Sequence, residues 1–162
     1  MLTAPETEAN PTGMSAMTLP TKLAIRFDAT EMAVRDALAQ VLAFLRDAGL
    51  DPDNSGKAEI VLAEALNNIV EHAYCNIGRG KVELQCTHHP SRLDVTILDQ
   101  GQPVPVHVFA KRGYPDTDSA LPDLPEGGFG WLLIQTLAEN LTYQRVGDTN
   151  CLRLTIPLLV AV

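Results

Sequence analysis

Hydrophobic positions along this 162-residue chain change period several times, and each change marks an element. Leu23, Ile25 and Phe27 alternate with Ala24 and Arg26, the period of a short strand with one face buried. Ala29-Thr-Glu then opens a helical stretch in which Met32, Val34, Leu38, Val41, Leu42 and Leu45 line one side to about Ala48. Gly49 stops it, and Asp51-Pro-Asp-Asn-Ser-Gly56 reads as a turn cluster. A second helix is predicted from about Lys57 to Tyr74. At about 100° per residue, Leu62, Leu66, Ile69 and Ala73 share one face, and Glu64, Asn67, Asn68 and Glu71 share the other. Two alternating strands follow, Val82 to Thr87 and Arg92 to Leu98, joined through His88-His-Pro-Ser91. Periodicity then fades from Gln100 to Gly128, a stretch holding five prolines. Gly127-Gly-Phe-Gly130 leads into a third helix, Trp131 to Asn140. Two last strands, Leu141 to Val146 and Cys151 to Ile156, flank the hairpin signal Gly147-Asp-Thr-Asn150. The predicted order is β-α-α-β-β-loop-α-β-β. It implies an α+β fold, a two-layer α/β sandwich with helices on one face of a mixed, largely antiparallel sheet.

Composition narrows the class. With 46% hydrophobic residues, the chain suffices for one domain with its own core. Residues 1 to about 20 are polar, rich in Pro and Thr and without periodicity, and are expected to be a flexible N-terminal tail; the domain spans 21–162. Twelve Lys plus Arg against twenty Asp plus Glu leave a formal charge of -8. That balance argues against a nucleic-acid binder and against electrostatic attachment to an anionic membrane. No apolar run approaches the roughly 18 residues of a transmembrane helix. The start has neither the basic residues nor the apolar core of a signal peptide. Cys75, Cys86 and Cys151 are odd in number and widely spaced, as in reduced cytosolic thiols, so the expected location is cytoplasmic.

Three features offer chemistry, each with a plain structural alternative. In Glu64-Ala-Leu-Asn-Asn68, a spacing of four puts the carboxylate and the Asn68 amide one turn apart. A carboxylate there can take a proton from a hydroxyl, and an amide oxygen can bind a hard cation such as Mg²⁺; the alternative is a solvated helix face. Asp99-Gln-Gly101 stands at a strand end. Its carboxylate can accept from an exocyclic amine such as that of adenine, and Gly101 lets a flat ring approach; the alternative is an ordinary Asp-x-Gly turn. Gly127-Gly-Phe-Gly130 before a helix exposes free amides at a dipole end that favours phosphate; the alternative is a loop exit or close packing. Other signals are weaker. The Gly49–Lys57 stretch lacks P-loop spacing, with Ala58 where Ser or Thr is required. His88-His89 has no acidic or Cys partner at ligand spacing, and there is no Gly-x-Ser-x-Gly elbow. The order of the three features carries more than any one of them: cation ligand, adenine acceptor and phosphate cradle together make a nucleotide pocket.

These residues resemble the Bergerat-fold ATP-binding domains found in gyrase, histidine kinases and MutL, over about Leu23 to Pro157. Within that superfamily they are most similar to the anti-sigma-factor serine kinases of bacterial partner-switching systems. Glu64 through His72-Ala-Tyr74 resembles their N box, Asp99-Gln-Gly-Gln-Pro103 their first glycine box, and Gly127 through Ile134 their second; Ala33-Val-Arg-Asp-Ala-Leu38 is also typical. The resemblance implies Glu64 as general base, Asn68 as Mg²⁺ ligand, Asp99 as adenine acceptor with Gly101 against the ring, and Gly128 and Gly130 presenting amides to the phosphates. Asn150 stands where the family often has Thr, in a water-mediated contact. The segment 102–126 would be the ATP lid, with Lys111 and Arg112 its only basic residues. The implied activity is transfer of phosphoryl from Mg-ATP to a serine of an anti-anti-sigma protein with a STAS domain, by a kinase that also holds a sigma factor and forms a homodimer through its sheet. Pro103, Trp131 and the acidic, proline-rich lid depart from the family pattern. Competing readings are a nucleotide-gated scaffold that sequesters a partner without transfer, and the isolated catalytic domain of a histidine kinase.

Overall fold

The computed structural model describes residues 19–75, 77–105 and 128–159. The N-terminal tail up to residue 18, Gly127 and most of the expected lid, including Lys111 and Arg112, lie outside the described residues. The elements run β1 (Thr21–Asp28), α1 (Glu31–Asp47), α2 (Pro52–Asn68), a π-helical turn (Ile69–Ala73), β2 (Lys81–His89), β3 (Arg92–Asp99), α3 (Gly128–Leu137), β4 (Glu139–Val146) and β5 (Thr149–Pro157). This is the predicted order.

The sheet has five strands in the order β1-β2-β3-β5-β4, and every hydrogen-bonded pair is antiparallel. The expected mixed character survives only in direction. The β3-α3-β4 crossover leaves β3 and β4 parallel, but β5 inserts between them by its hairpin, so no parallel pair forms. Between β1 and β2, two antiparallel helices return the chain so that the next strand runs the other way. The register fixes two ends. At one, Asp99 lies opposite Val82 and Asn150; at the other, Arg92 lies opposite His89 and Pro157, with Thr21 beside His88.

Alternation decides the faces. Val82, Leu84 and Cys86, with Leu93, Val95 and Ile97 and with Leu152, Leu154 and Ile156, enter one core with Val34, Val41 and Leu45 of α1, Val61, Leu62 and Leu66 of α2, and Ile134 of α3. Burial pushes the Cys86 thiol up to about 12, as expected of an inert core cysteine. The predicted inner faces hold except at Met32, which stands 65% exposed in the first turn of α1, before that helix reaches the core, and at Leu42, which is only partly buried and lies outside the core cluster.

Several boundaries differ from the sequence reading. Asp51-Pro-Asp-Asn-Ser-Gly56 is the first turn of α2 and not a free turn. Asp51 is the N-cap, its carboxylate accepting from Asn54 N at 2.9 Å, and Pro52 follows at the first helical position, where a missing N–H costs nothing. Buried Asn54 then clasps the chain after β5, with Nδ2 donating to Leu159 O and Leu159 N donating to Oδ1, both at 2.8 Å. Lys57 Nζ adds a bond to Pro157 O at 2.7 Å. β2 runs on through His89, whose Nε2 lies 3.0 Å from Asp94 Oδ2, so the acidic partner not evident from spacing comes from across the hairpin. The last hairpin turns on Gly147 (φ +60°) and Asp148, which draws Asn150 out of the expected turn and into β5, opposite Arg145.

Candidate functional site

α2 carries the first pair of groups, and its end is irregular. The periodicity predicted a helix through Tyr74, but after Asn68 the backbone loosens into a π turn, with Tyr74 N donating to Ile69 O. Such turns inside α-helices frequently occur at functional sites. Here the turn presents Ala73 O to Gln102 N at 2.7 Å, tying the end of α2 to the chain just past β3. Tyr74 completes the tie. Its buried hydroxyl donates to Lys81 O at 3.0 Å and accepts from Gln100 N at 2.9 Å, and burial pushes its ionisation upward.

Glu64 and Asn68 do not lie on a solvated face. Asn68 is buried, and Glu64 is half-buried against the start of α3. A Cβ placed on Gly130 would lie 2.5 Å from Glu64 Oε2 and 3.4 Å from Asn68 Nδ2, so both side chains crowd a position where α3 carries no side chain. Among the described residues, Asn68 Nδ2 is the buried side-chain nitrogen or oxygen with no hydrogen-bond partner. Leaving a buried donor unpaired costs about 1–3 kcal/mol. Rotation of the amide exchanges its nitrogen for its oxygen, so the same place can offer an acceptor to a hard cation. The uncommitted amide, a carboxylate one turn away and the first amides of α3 from Gly128 form a set able to hold a metal-bound phosphate.

Asp99 ends β3, 6% exposed. Its Oδ1 accepts from Gly101 N and from Asn150 Nδ2, each at 2.8 Å. Its Oδ2 receives no hydrogen bond from the described residues and remains open to a donor. Burial pushes the carboxyl up; the Asn150 amide, the Gly101 N–H and the Arg145 charge hold it down. Gly101 meets a close neighbour, although the neighbour present is protein: an added Cβ would sit 2.6 Å from both the Cβ and the carbonyl oxygen of Ala73. Asn150, 1% exposed, is fully engaged by protein, which makes it a support for Asp99.

Tyr143 and Arg145 surround this group without having been expected. Tyr143 OH and Arg145 Nη1 both donate to Asn150 Oδ1, at 2.8 and 2.6 Å, and Arg145 Nη1 also reaches Gly101 O at 2.9 Å. The sequence does hold a signal for Arg145. Centring the hairpin on Gly147-Asp148 alone sets Val146 against Thr149 and Arg145 against Asn150. A cleft of about 420 Å³ opens beside them, lined by Ile77, Gln100, Gly101, Gln102, Arg145 and Asp148, among others.

Comparison with known proteins bears out the fold. Residues 27–156 match the family described as the histidine kinase-like ATPase domain. The chain is 33% identical over 94 residues to serine-protein kinase RsbW of Halalkalibacterium halodurans, covering 57% of each protein. It is 30% identical over 97 residues to the protein of the same name from Bacillus licheniformis, covering 59% of this chain and 61% of the relative. The chain thus spans about three-fifths of the length of these relatives. Among solved structures, the RsbU and RsbW domains of Rv1364c from Mycobacterium tuberculosis share the fold with a TM-score of 0.60 at 19% identity, over 85% of this chain and 32% of that one.

Proposed function

The chain belongs to the histidine kinase-like ATPase family, and from that membership we propose that it is an ATP-dependent serine protein kinase acting between α2 and α3. The observation that carries the reading is the Glu64–Asn68–Gly130 juncture, where a proton acceptor and an uncommitted amide share the gap left by a glycine. Similarity to serine-protein kinases of the RsbW name supports the choice of a serine acceptor.

In this reading the purine amine of ATP donates to Asp99 Oδ2, and the phosphates extend toward the start of α3. Asn68 would hold Mg²⁺ through its amide oxygen, and the ion would offset phosphate charge. The partner's serine Oγ forms a bond to the γ-phosphorus as the bond to the β,γ-bridging oxygen breaks. ADP leaves with that electron pair, and Glu64 receives the serine proton. The helix-end amides let a chain of net charge -8 accept an anionic nucleotide. The substrate is proposed to be an anti-anti-sigma protein with a STAS domain and the held partner a sigma factor, with a homodimer across the open face of the sheet, where Arg26 stands opposite Glu83 and Thr96 opposite Arg153.

The test is transfer of label from γ-labelled ATP to a STAS-domain protein recovered with this chain from its own cells. A phosphoserine on that protein is expected. Nucleotide binding without any phosphoprotein would replace the kinase with a nucleotide-gated scaffold. Gly130→Ala probes the same juncture. The Glu64 carboxylate is the mobile end of a side chain, so it can swing away from the new methyl and the variant should fold. A base displaced by about 1 Å costs on the order of 10²-fold in rate. Transfer is therefore expected to fall far more than ATP affinity, as single-turnover assays alongside calorimetry would show.

A further inference from the structure

Asn150 makes five hydrogen bonds, and their polarity leaves one orientation for its amide. Oδ1 faces two donors, Tyr143 OH at 2.8 Å and Arg145 Nη1 at 2.6 Å. Nδ2 faces three acceptors, Asp99 Oδ1 at 2.8 Å, Gln102 O at 3.2 Å and Gly101 O at 3.3 Å. An arginine can only donate, so the atom it touches must be the amide oxygen, and the nitrogen is thereby turned to Asp99. Reversing the amide would set its oxygen against the Asp99 carboxylate and its N–H groups against the guanidinium. Tyr143 does a second thing: its hydroxyl accepts from Val104 N at 2.9 Å, anchoring the chain three residues beyond Gly101.

The geometry points to Arg145 and Tyr143 as positioning residues that, through the locked Asn150 amide, keep Asp99 Oδ1 occupied and its Oδ2 facing outward as a bare acceptor, and so set the preference for a purine bearing an exocyclic amine. Neither residue need touch nucleotide. This rests on the proposed nucleotide site, because Asp99 Oδ2 is the atom assigned there to the base. The selection follows from atom types. An amine opposite a carboxylate oxygen makes a charge-assisted hydrogen bond, whereas a carbonyl at the same ring position sets acceptor against acceptor. If the Asn150 amide is free to reverse, Asp99 loses its fixed donor and turns, and the distinction fades.

The experiment compares ATP with inosine triphosphate, which differs at that ring position by carrying oxygen in place of the amine. Magnesium complexes of both are titrated calorimetrically into the full chain, into Arg145→Met, Arg145→Lys and Tyr143→Phe, with thermal unfolding followed for each. The wild type should prefer ATP. In Arg145→Met and Tyr143→Phe that preference should shrink by roughly tenfold, the worth of one charge-assisted hydrogen bond at the low end, through weaker ATP binding and unchanged inosine triphosphate binding. Arg145→Lys, which keeps a cationic donor, should hold most of it. Parallel losses for both nucleotides, or a wild-type preference in Arg145→Met, would overturn the inference while leaving the nucleotide site standing. A wild type that binds neither nucleotide would overturn the site itself. Should Tyr143→Phe fail to fold, the two Arg145 variants carry the comparison.

Discussion

Replacing Glu64 with Gln is expected to leave ATP binding intact and to cut phosphoryl transfer to serine by about 10²–10⁴-fold, the usual contribution of a positioned general base. Gln keeps the length of the side chain and one carbonyl oxygen, so the contact with Gly130 persists and α3 has no reason to move. Asn68 and Asp99, which are proposed to hold the metal and the base, are untouched. Only the capacity to take a proton is lost. Calorimetry with Mg-ATP and a single-turnover transfer assay separate the two effects. Transfer at the wild-type rate would remove Glu64 from its role, and loss of ATP affinity would make it a binding group.

Asp99→Asn is expected to act in the opposite sense, on binding. The Gly101 N–H and Asn150 Nδ2 both require an acceptor at the Oδ1 position, so the new amide must place its oxygen there and its NH₂ where Oδ2 was. A purine amine then meets a donor. Loss of a charge-assisted hydrogen bond alone lowers affinity by about 10- to 100-fold, and the opposed donors lower it further. Stability should move differently. Burial raises this carboxyl above its ordinary value, so its favourable contribution is complete below the unfolded-state value and is lost as pH rises through the folded one. At neutral pH the ionised group is a liability that Asn removes. Ligand-free Asp99→Asn should therefore melt no lower than wild type at pH 7, and any advantage should shrink on acidification. A variant that melts well below wild type at neutral pH while retaining ATP affinity would contradict both halves of the argument.

Much of this architecture was legible because the strands alternate cleanly: Leu23, Ile25 and Phe27, or Leu93, Val95 and Ile97, read as inner faces and pack as such. Reading failed where one residue type serves two ends. Asp-Pro-Asp-Asn-Ser-Gly is turn chemistry, yet Asp as N-cap with Pro behind it is equally a helix start, and only the clasp of Asn54 on Leu159 decides between them. The spacing Glu64 to Asn68 was legible, but that these side chains press on Gly130 was not, since that contact joins residues more than sixty positions apart. Tyr143 and Arg145 escaped notice because a polar residue on an edge strand is the ordinary case. Their distinction lies in which buried amide they face, a property of register and not of composition.

The sheet register has a practical consequence. Asp99, Asn150 and the hairpin at Gly147 lie at one end of the strands, whereas Thr21, the Pro90–Ser91 turn and the exit of β5 at Pro157 lie at the other. Additions joined ahead of β1 or after β5, or a reporter inserted at Pro90–Ser91, would emerge some strand-length away from the proposed nucleotide site. Those three points are the attachment sites of choice for tethering this domain to a surface, a fluorophore or a fused neighbour while its working end stays accessible.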